Sequence, residues 1–173
     1  LYVGAIQPRK NLTILIDAFE KIKKDNSFDN LKLVLVGKPA WMSEKILKVI
    51  NDSKYKKDII LAGQSGFKDL GKIYQGASAF VFSSRYEGFG IPILEAFASE
   101  VPVICAKNSS LPEVAGGAAL YFEDNNYQDL SNQIKKILNN KELKKDIVDK
   151  GLKQLEKFSW ERCAQETLEY IKK

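Results

Sequence analysis

The chain contains no histidine. This removes the commonest general base and metal ligand near neutral pH. Cysteine is scarce as well: Cys105 and Cys163 lie in apolar stretches without metal-ligand spacing, and both are expected as buried free thiols of a cytoplasmic protein. No apolar run approaches the roughly 18 to 20 residues needed to cross a bilayer. Nothing at the start has the charged-then-apolar pattern of a signal peptide. Arginine is limited to Arg9, Arg85 and Arg162, so the net charge of +5 rests on lysine. The densest lysines, from Lys135 to Lys157, alternate with Glu142, Asp146, Asp149 and Glu156. That interleaving reads as a solvated helix surface, not as a nucleic-acid site.

What remains is an ordinary globular composition, 45% hydrophobic and 28% charged over 173 residues, and it fits one domain with a real core. "LYVG" (1–4) opens the chain already inside a strand, which leads us to expect a further segment upstream. Asn11 can cap a helix in which Leu12, Leu15, Phe19 and Ile22 recur at helical spacing. "LKLVLVG" (31–37) is too uniformly apolar for a strand with one wet face and suits a buried parallel sheet. The pattern continues with a helix over 42–53, a strand at 58–63, a helix over 67–76 and a strand at 78–84. Two more strands follow at 101–106 and 118–122. From 126 onward only helical periods remain, over 126–139, 141–156 and 159–172. In the last, Trp160, Ala164, Thr167, Leu168 and Ile171 form an apolar stripe. The alternation predicts an α/β fold, a doubly wound, mainly parallel Rossmann-like sheet of about six strands with C-terminal helices.

Ligands of such sheets sit beyond the carboxyl ends of the strands, against helix N-termini. The fourth strand leads into "SSRYEGFGIPILEA" (83–96). Gly88 and Gly90 permit positive φ and close backbone approach, and Pro92 suits a first helical turn. The N–H groups of Phe89, Gly90 and Ile91 then face the cleft with a helix dipole behind them, an anion site matched to phosphate. Glu87 lies in the loop and Glu95 about one turn inside the helix. A carboxylate about 4 Å from a phosphate repels it by roughly 4 kcal/mol at an effective dielectric near 20. The two acids are therefore expected to bind hydroxyls on either side of the phosphate, Glu95 a ribose and Glu87 a transferred sugar. A ligand with phosphates in the middle and a polyol at each end is a nucleotide-sugar.

After the first strand, "GAIQPRKN" (4–11) sets Arg9 and Lys10 beside another helix start, where fixed cations would neutralise a leaving diphosphate without proton transfer. Lys10 is the stronger candidate. In "LAGQSG" (61–66) the glycines can simply make a turn, or Gly63 and Gln64 can meet a nucleobase through the backbone. Ser109, Ser110 and Glu113, in a loop expected beneath the site, read as caps and turn bonds.

These stretches together resemble the C-terminal, donor-binding half of a group 1 glycosyltransferase of the two-domain GT-B fold. "PRKN", "LVLVG", "SSRYEGFGIPILEAFASEVPVI", "SSLPEVAGGAALYF" and "FSWERCAQETLEY" stand in that family's order and spacing over essentially all 173 residues. The wording is most similar to bacterial mannosyltransferases of polysaccharide and lipopolysaccharide assembly. The resemblance implies a retaining, metal-independent transferase without a cofactor, using GDP-mannose or a UDP-sugar as donor. It implies Lys10 on the diphosphate, Glu95 on the ribose and Glu87 at the donor sugar, with the backbone of Gly88, Phe89, Gly90 and Ile91 holding sugar and phosphate. It also implies that a glycan or lipid-linked acceptor binds an N-terminal domain absent from this chain, so that the fragment binds donor without turnover. Many members carry an arginine directly after the first strand's glycine; Ala5 stands there, and Arg9 is the candidate replacement. The charge allows peripheral contact at the inner face of a membrane. Two other readings stay open: half of a nucleotide-sugar epimerase, and a non-catalytic nucleotide-binding or interaction module.

Overall fold

A computed structural model describes residues 1–172, Phe67 by its backbone alone. Strands and helices alternate as β1 (Tyr2–Val3), α1 (Leu12–Lys23), β2 (Leu33–Val36), α2 (Glu44–Asp52), β3 (Ile59–Gly63) and α3 (Phe67–Gln75). The second half continues with β4 (Phe80–Phe82), α4 (Ile91–Ala98), β5 (Val103–Ala106), α5 (Leu111–Ala115) and β6 (Ala119–Phe122). Three helices close the described chain: α6 (Tyr127–Asn139), α7 (Lys141–Leu155) and α8 (Trp160–Ile171).

All four strand pairings are parallel, in two ladders ordered β1–β2–β3 and β4–β5–β6. The ladders meet at a seam where the Leu1 ammonium donates to the Ala79 carbonyl (2.9 Å) and the Val81 N–H donates to the Leu1 carbonyl (2.9 Å). The spatial order is thus β3-β2-β1-β4-β5-β6, the doubly wound arrangement, with strand order reversing between β1 and β4. Loops that leave β1 and β4 at their carboxyl ends flank this reversal.

Burial explains why the apolar runs become strands here. Every residue of β4 and β5 is buried, because helices cover both faces of a parallel sheet. Leu12, Leu15, Ile16, Phe19 and Ile22 of α1 and Ile93, Ala96 and Phe97 of α4 supply the covering side chains. Each of the Leu, Ile and Phe side chains contributes about 1.5–3 kcal/mol on transfer from water, and Ala96 less. The outer strand β3 differs: Ile60 and Leu61 are exposed along the sheet edge. Helices α4 and α7 approach closely enough that a Cβ on Gly151 would lie 2.6 Å from the Phe97 ring.

Three local expectations change. Asn11 does stand at the N-cap position of α1, but in a left-handed conformation (φ 51°) and without a side-chain cap bond. The preceding 3-10 turn Pro8–Lys10 forces the chain through αL there, which turns the amide away from the N–H groups that it would cap. Cys105 is buried as expected, whereas Cys163 is exposed, because it lies on α8. No residue of α8 is buried, its apolar stripe included. The helix itself forms with Ser159 as cap and an Arg162–Glu166 pair at 2.7 Å, so its periodicity specifies a helix and not a covering surface.

Candidate functional site

The carboxyl ends of β1 and β2 come together through glycine. A Cβ on Gly37 would lie 1.9 Å from the Gly4 carbonyl oxygen, so the two strand ends approach as only glycine allows. The Gly37 N–H in turn donates to the Gly63 carbonyl (2.7 Å), which aligns the end of β3.

Beyond Gly4 the chain runs into the Pro8–Lys10 turn and is stitched to the loop after β4. The Ser83 hydroxyl donates to the Lys10 carbonyl (2.9 Å), and the Arg85 N–H donates to the Arg9 carbonyl (2.9 Å). These two bonds carry the side chains of Arg9 and Lys10 across the strand reversal onto Glu87. One guanidinium nitrogen of Arg9 donates to Glu87 Oε2 at 2.9 Å and to the Tyr86 carbonyl at 2.6 Å. Lys10 Nζ donates to Glu87 Oε1 at 2.5 Å and stands 5.3 Å from the centre of the Phe82 ring, a cation–π contact. Lys10 and Glu87 are each only 11% exposed in their side chains, while Arg9 is 44% exposed. Burial acts to raise the carboxyl pKa of Glu87, but hydrogen bonds led by that from Lys10 hold it below the usual carboxylate range. With two cations and one anion, the cluster keeps a surplus positive charge at the mouth of the reversal.

The glycine loop is held from behind. Ser109 Oγ accepts from the Glu87 N–H (3.2 Å), and Asn108 Nδ2 donates to the Ser84 carbonyl (3.3 Å). Ser110 Oγ lies 3.0 Å from the Glu87 carbonyl and 2.8 Å from that of Phe89, donating its proton to one or the other. With the carbonyls tied down, the N–H groups of Gly88, Phe89 and Gly90 find no acceptor among the described residues. Gly90 (φ 116°) is the N-cap of α4, with Ile91 and Pro92 opening the helix. A Cβ at Gly90 would meet Leu111 Cδ2 at 3.2 Å, so both backbone and space call for glycine. Glu95, one turn inside α4, is partly buried and accepts a hydrogen bond from the Tyr74 hydroxyl at 2.9 Å.

The structure thus brings Arg9, Lys10 and Glu87 into contact and sets Gly88, Phe89, Gly90, Ile91 and Glu95 on the adjoining loop and helix. Glu87 differs from expectation in one respect: it touches the cations assigned to a diphosphate instead of standing apart from them. The strand reversal places the two loops side by side, and an unpaired carboxylate there takes the nearest positive charge. Gly63 and Gln64 lie at the end of β3, and no side-chain hydrogen bond ties Gln64 to the cluster among the described residues. Ser109 and Ser110 depart from the expected caps and turn bonds: Ser110 makes no side-chain cap bond to α5, and both hydroxyls reach the 87–89 loop more than 20 residues away, a pairing that sequence spacing does not encode. Tyr74 carried no sequence signal for the site; its helical position reads as core. An apolar cleft lined by Leu15, Phe19, Val34, Ala77 and Ile134 lies apart from these residues.

Chemically, the assembly could hold an anion: the cations of Arg9 and Lys10 stand on one loop, the unpaired N–H groups of Gly88, Phe89 and Gly90 on the other, and Glu87 and Glu95 lie beside them. Known proteins resemble this chain in sequence and in fold. Residues 1–154 match the family model described as glycosyl transferases group 1. The chain is 34% identical over 172 residues to the O-antigen chain mannosyltransferase B of Escherichia coli, covering 99% of this chain and 45% of that protein. It is 37% identical over 165 residues to an uncharacterized glycosyltransferase of Methanocaldococcus jannaschii, covering 94% of this chain and 44% of that one. The chain therefore spans less than half the length of these relatives. Among solved structures, S. aureus TarM, crystallised as a G117R mutant with fondaparinux, alpha-GlcNAc-glycerol and UDP, superposes with a TM-score of 0.83 at 26% identity. That superposition covers 97% of this chain and 34% of TarM.

Proposed function

Because this chain belongs to the group 1 glycosyl transferases, we propose that it is the donor-binding half of a retaining, metal-independent enzyme that moves a sugar from a nucleotide diphosphate sugar to a glycan or lipid-linked acceptor. That the E. coli relative is a mannosyltransferase speaks for a mannose donor here, which we take to be GDP-mannose, and the UDP in the TarM crystal speaks for a UDP-sugar as the alternative. The single observation that carries the reading is the Lys10–Glu87–Arg9 contact beside the unpaired N–H groups of Gly88, Phe89 and Gly90.

In this reading Lys10 and Arg9 hold the diphosphate with the glycine-loop N–H groups and the α4 N-terminus opposite them. Glu95 accepts from the ribose hydroxyls. Gly63 and Gln64 meet the base through the backbone. Glu87 leaves the cations as the diphosphate arrives and accepts from the donor sugar. Departure follows directly: the C1–O bond to the diphosphate lengthens, and negative charge gathers on the leaving oxygen between Lys10 and Arg9. The acceptor oxygen enters on the same face and passes its proton to that leaving oxygen. Configuration is kept without a covalent intermediate, and Glu87 faces the positive charge growing at C1. Acceptor binding falls to a partner domain, so the chain binds donor and transfers nothing alone. No helix among the described residues is long and apolar enough to cross a membrane. We place the enzyme in the cytoplasm, with the surplus of lysine available for contact at the inner membrane face.

Calorimetric titration of GDP, UDP, GDP-mannose, UDP-glucose and UDP-N-acetylglucosamine into the chain tests this. At least one nucleotide should bind, and Glu95→Ala should weaken it by about 1.5–3 kcal/mol, the scale of a charged hydrogen bond. Absence of heat with every nucleotide would sink the reading in favour of a non-nucleotide module.

A further inference from the structure

Tyr74 is 1% exposed and sits on α3, outside the loops that form the anion site. Its hydroxyl nevertheless ends on Glu95 Oε2, 2.9 Å away, and lies 3.4 Å from the Pro92 carbonyl in the first turn of α4. One proton serves one acceptor well, and the shorter contact to a carboxylate is the stronger. Burial and then the Glu95 charge push the phenol pKa up, so the hydroxyl stays a donor at any pH at which the protein works. The other carboxylate oxygen of Glu95, Oε1, accepts from no donor among the described residues.

The ring behind the hydroxyl is fixed. Tyr74 packs edge-on to Phe80 (5.4 Å between centroids, 64°), and Phe80 stacks on Phe82 at 5.7 Å. Phe82 in turn carries Lys10 over its face. One aromatic row through the buried strand β4 thus supports the cation at one end and the acid at the other. A glutamate side chain has three rotatable bonds, and an unanchored one on a helix surface samples several rotamers. A hydrogen bond from a rigid, buried donor narrows that choice of rotamer by pinning Oε2, and it leaves Oε1 without a protein partner among the described residues.

We infer that Tyr74 is a positioning residue: it holds Glu95 so that the free carboxylate oxygen meets the ribose hydroxyls of the donor nucleotide. The inference rests on the proposed ribose role of Glu95. Tyr74 touches no substrate; it acts through Glu95 alone. Because α3 begins directly after the Gly63–Gly66 loop, Tyr74 also couples the acid to the helix leading from the proposed base site.

The test compares ribonucleoside diphosphates with their 2′-deoxy and 3′-deoxy forms, using GDP or UDP, whichever binds the wild-type chain. Wild type should prefer the ribose form by about tenfold or more. Tyr74→Phe removes only the hydroxyl. It should bind the deoxy forms and inorganic pyrophosphate as wild type does, while its preference for the ribose form falls to within about threefold. A residue of merely structural importance would weaken all these ligands alike or none of them. Retention of the full preference in Tyr74→Phe overturns the role of Tyr74 while leaving that of Glu95 standing. Equal binding of ribose and deoxy forms by wild type overturns both, since no ribose contact then exists to be aimed. Should Tyr74→Phe not fold, Glu95→Gln is compared with the double variant Tyr74→Phe/Glu95→Gln, in which no unpaired buried charge remains. The single variant keeps an amide oxygen for Tyr74 to orient, so it should keep part of the preference and the double variant none; equal preference in the two overturns the inference.

Discussion

Replacing Glu87 by glutamine should tighten anion binding while sharply reducing turnover. The carboxylate bridges both cations, 2.5 Å from Lys10 and 2.9 Å from Arg9, so a diphosphate that uses them competes with it. A phosphate sharing these partners lies about 5 Å from the carboxylate, which at an effective dielectric of 20–40 costs roughly 1.5–3.5 kcal/mol. Arg9 is well exposed and the mouth of the reversal is open, so solvent screening takes part of this. Inorganic pyrophosphate should therefore bind Glu87→Gln more tightly by about 1–2 kcal/mol, or 5- to 30-fold. Titration calorimetry of wild type and variant, at low and high salt, measures the difference directly, and it should shrink as salt rises. With an acceptor domain present, sugar transfer should fall sharply despite the tighter binding. Weaker or unchanged pyrophosphate binding would refute the reasoning, because the cations would then not be those that a phosphate uses. The same pair makes a stability claim. The Glu87 carboxyl is held below its ordinary range, so its contribution is complete above the ordinary carboxylate pKa and is lost as pH falls through the lowered value. Asp25 and Asp58, also held below the ordinary range, lose their contributions in the same window, so melts from neutral pH down to about pH 3 should show a larger loss in wild type than in Glu87→Gln.

Gly90→Ala should destabilise the chain by about 1–3 kcal/mol, from a strained backbone and a Cβ 3.2 Å from Leu111, and should lower nucleotide affinity; a melt and a titration read the two effects. Of the two cysteines, Cys163 alone should react with a thiol reagent in the native chain, because Cys105 is buried and its thiol pKa is pushed up by desolvation; denaturant should release the second equivalent.

The elements most legible in the sequence are those whose residues answer to one local rule. β2 and β5 are short apolar runs, and burial on both faces makes such runs strands. The loop 87–92 was legible because glycine, proline and acid at that spacing each have a backbone reason to be there. Asn11 misleads because its cap role depends on the dihedral angles that a preceding 3-10 turn imposes, and composition does not report them. Cys163 misleads because an apolar stripe implies burial only when something lies against it. Ser110 and Tyr74 escape for a further reason: their partners lie 18 to 23 residues away in sequence and meet them only through packing. The contact between Arg9 and Glu87 is of the same kind, and strand order, not periodicity, creates it.

Arg9 and Glu87 are separated by 78 positions along the chain. Contacts of such long range form late, after loop closure has been offset by other interactions. A folding intermediate that possesses all of its helices but lacks the join between its two three-stranded halves has the cations and the glycine-loop N–H groups apart, and so lacks full grip on an anion. Ligand occupancy therefore reports completion of the whole architecture, and a nucleotide added during refolding favours chains that have finished.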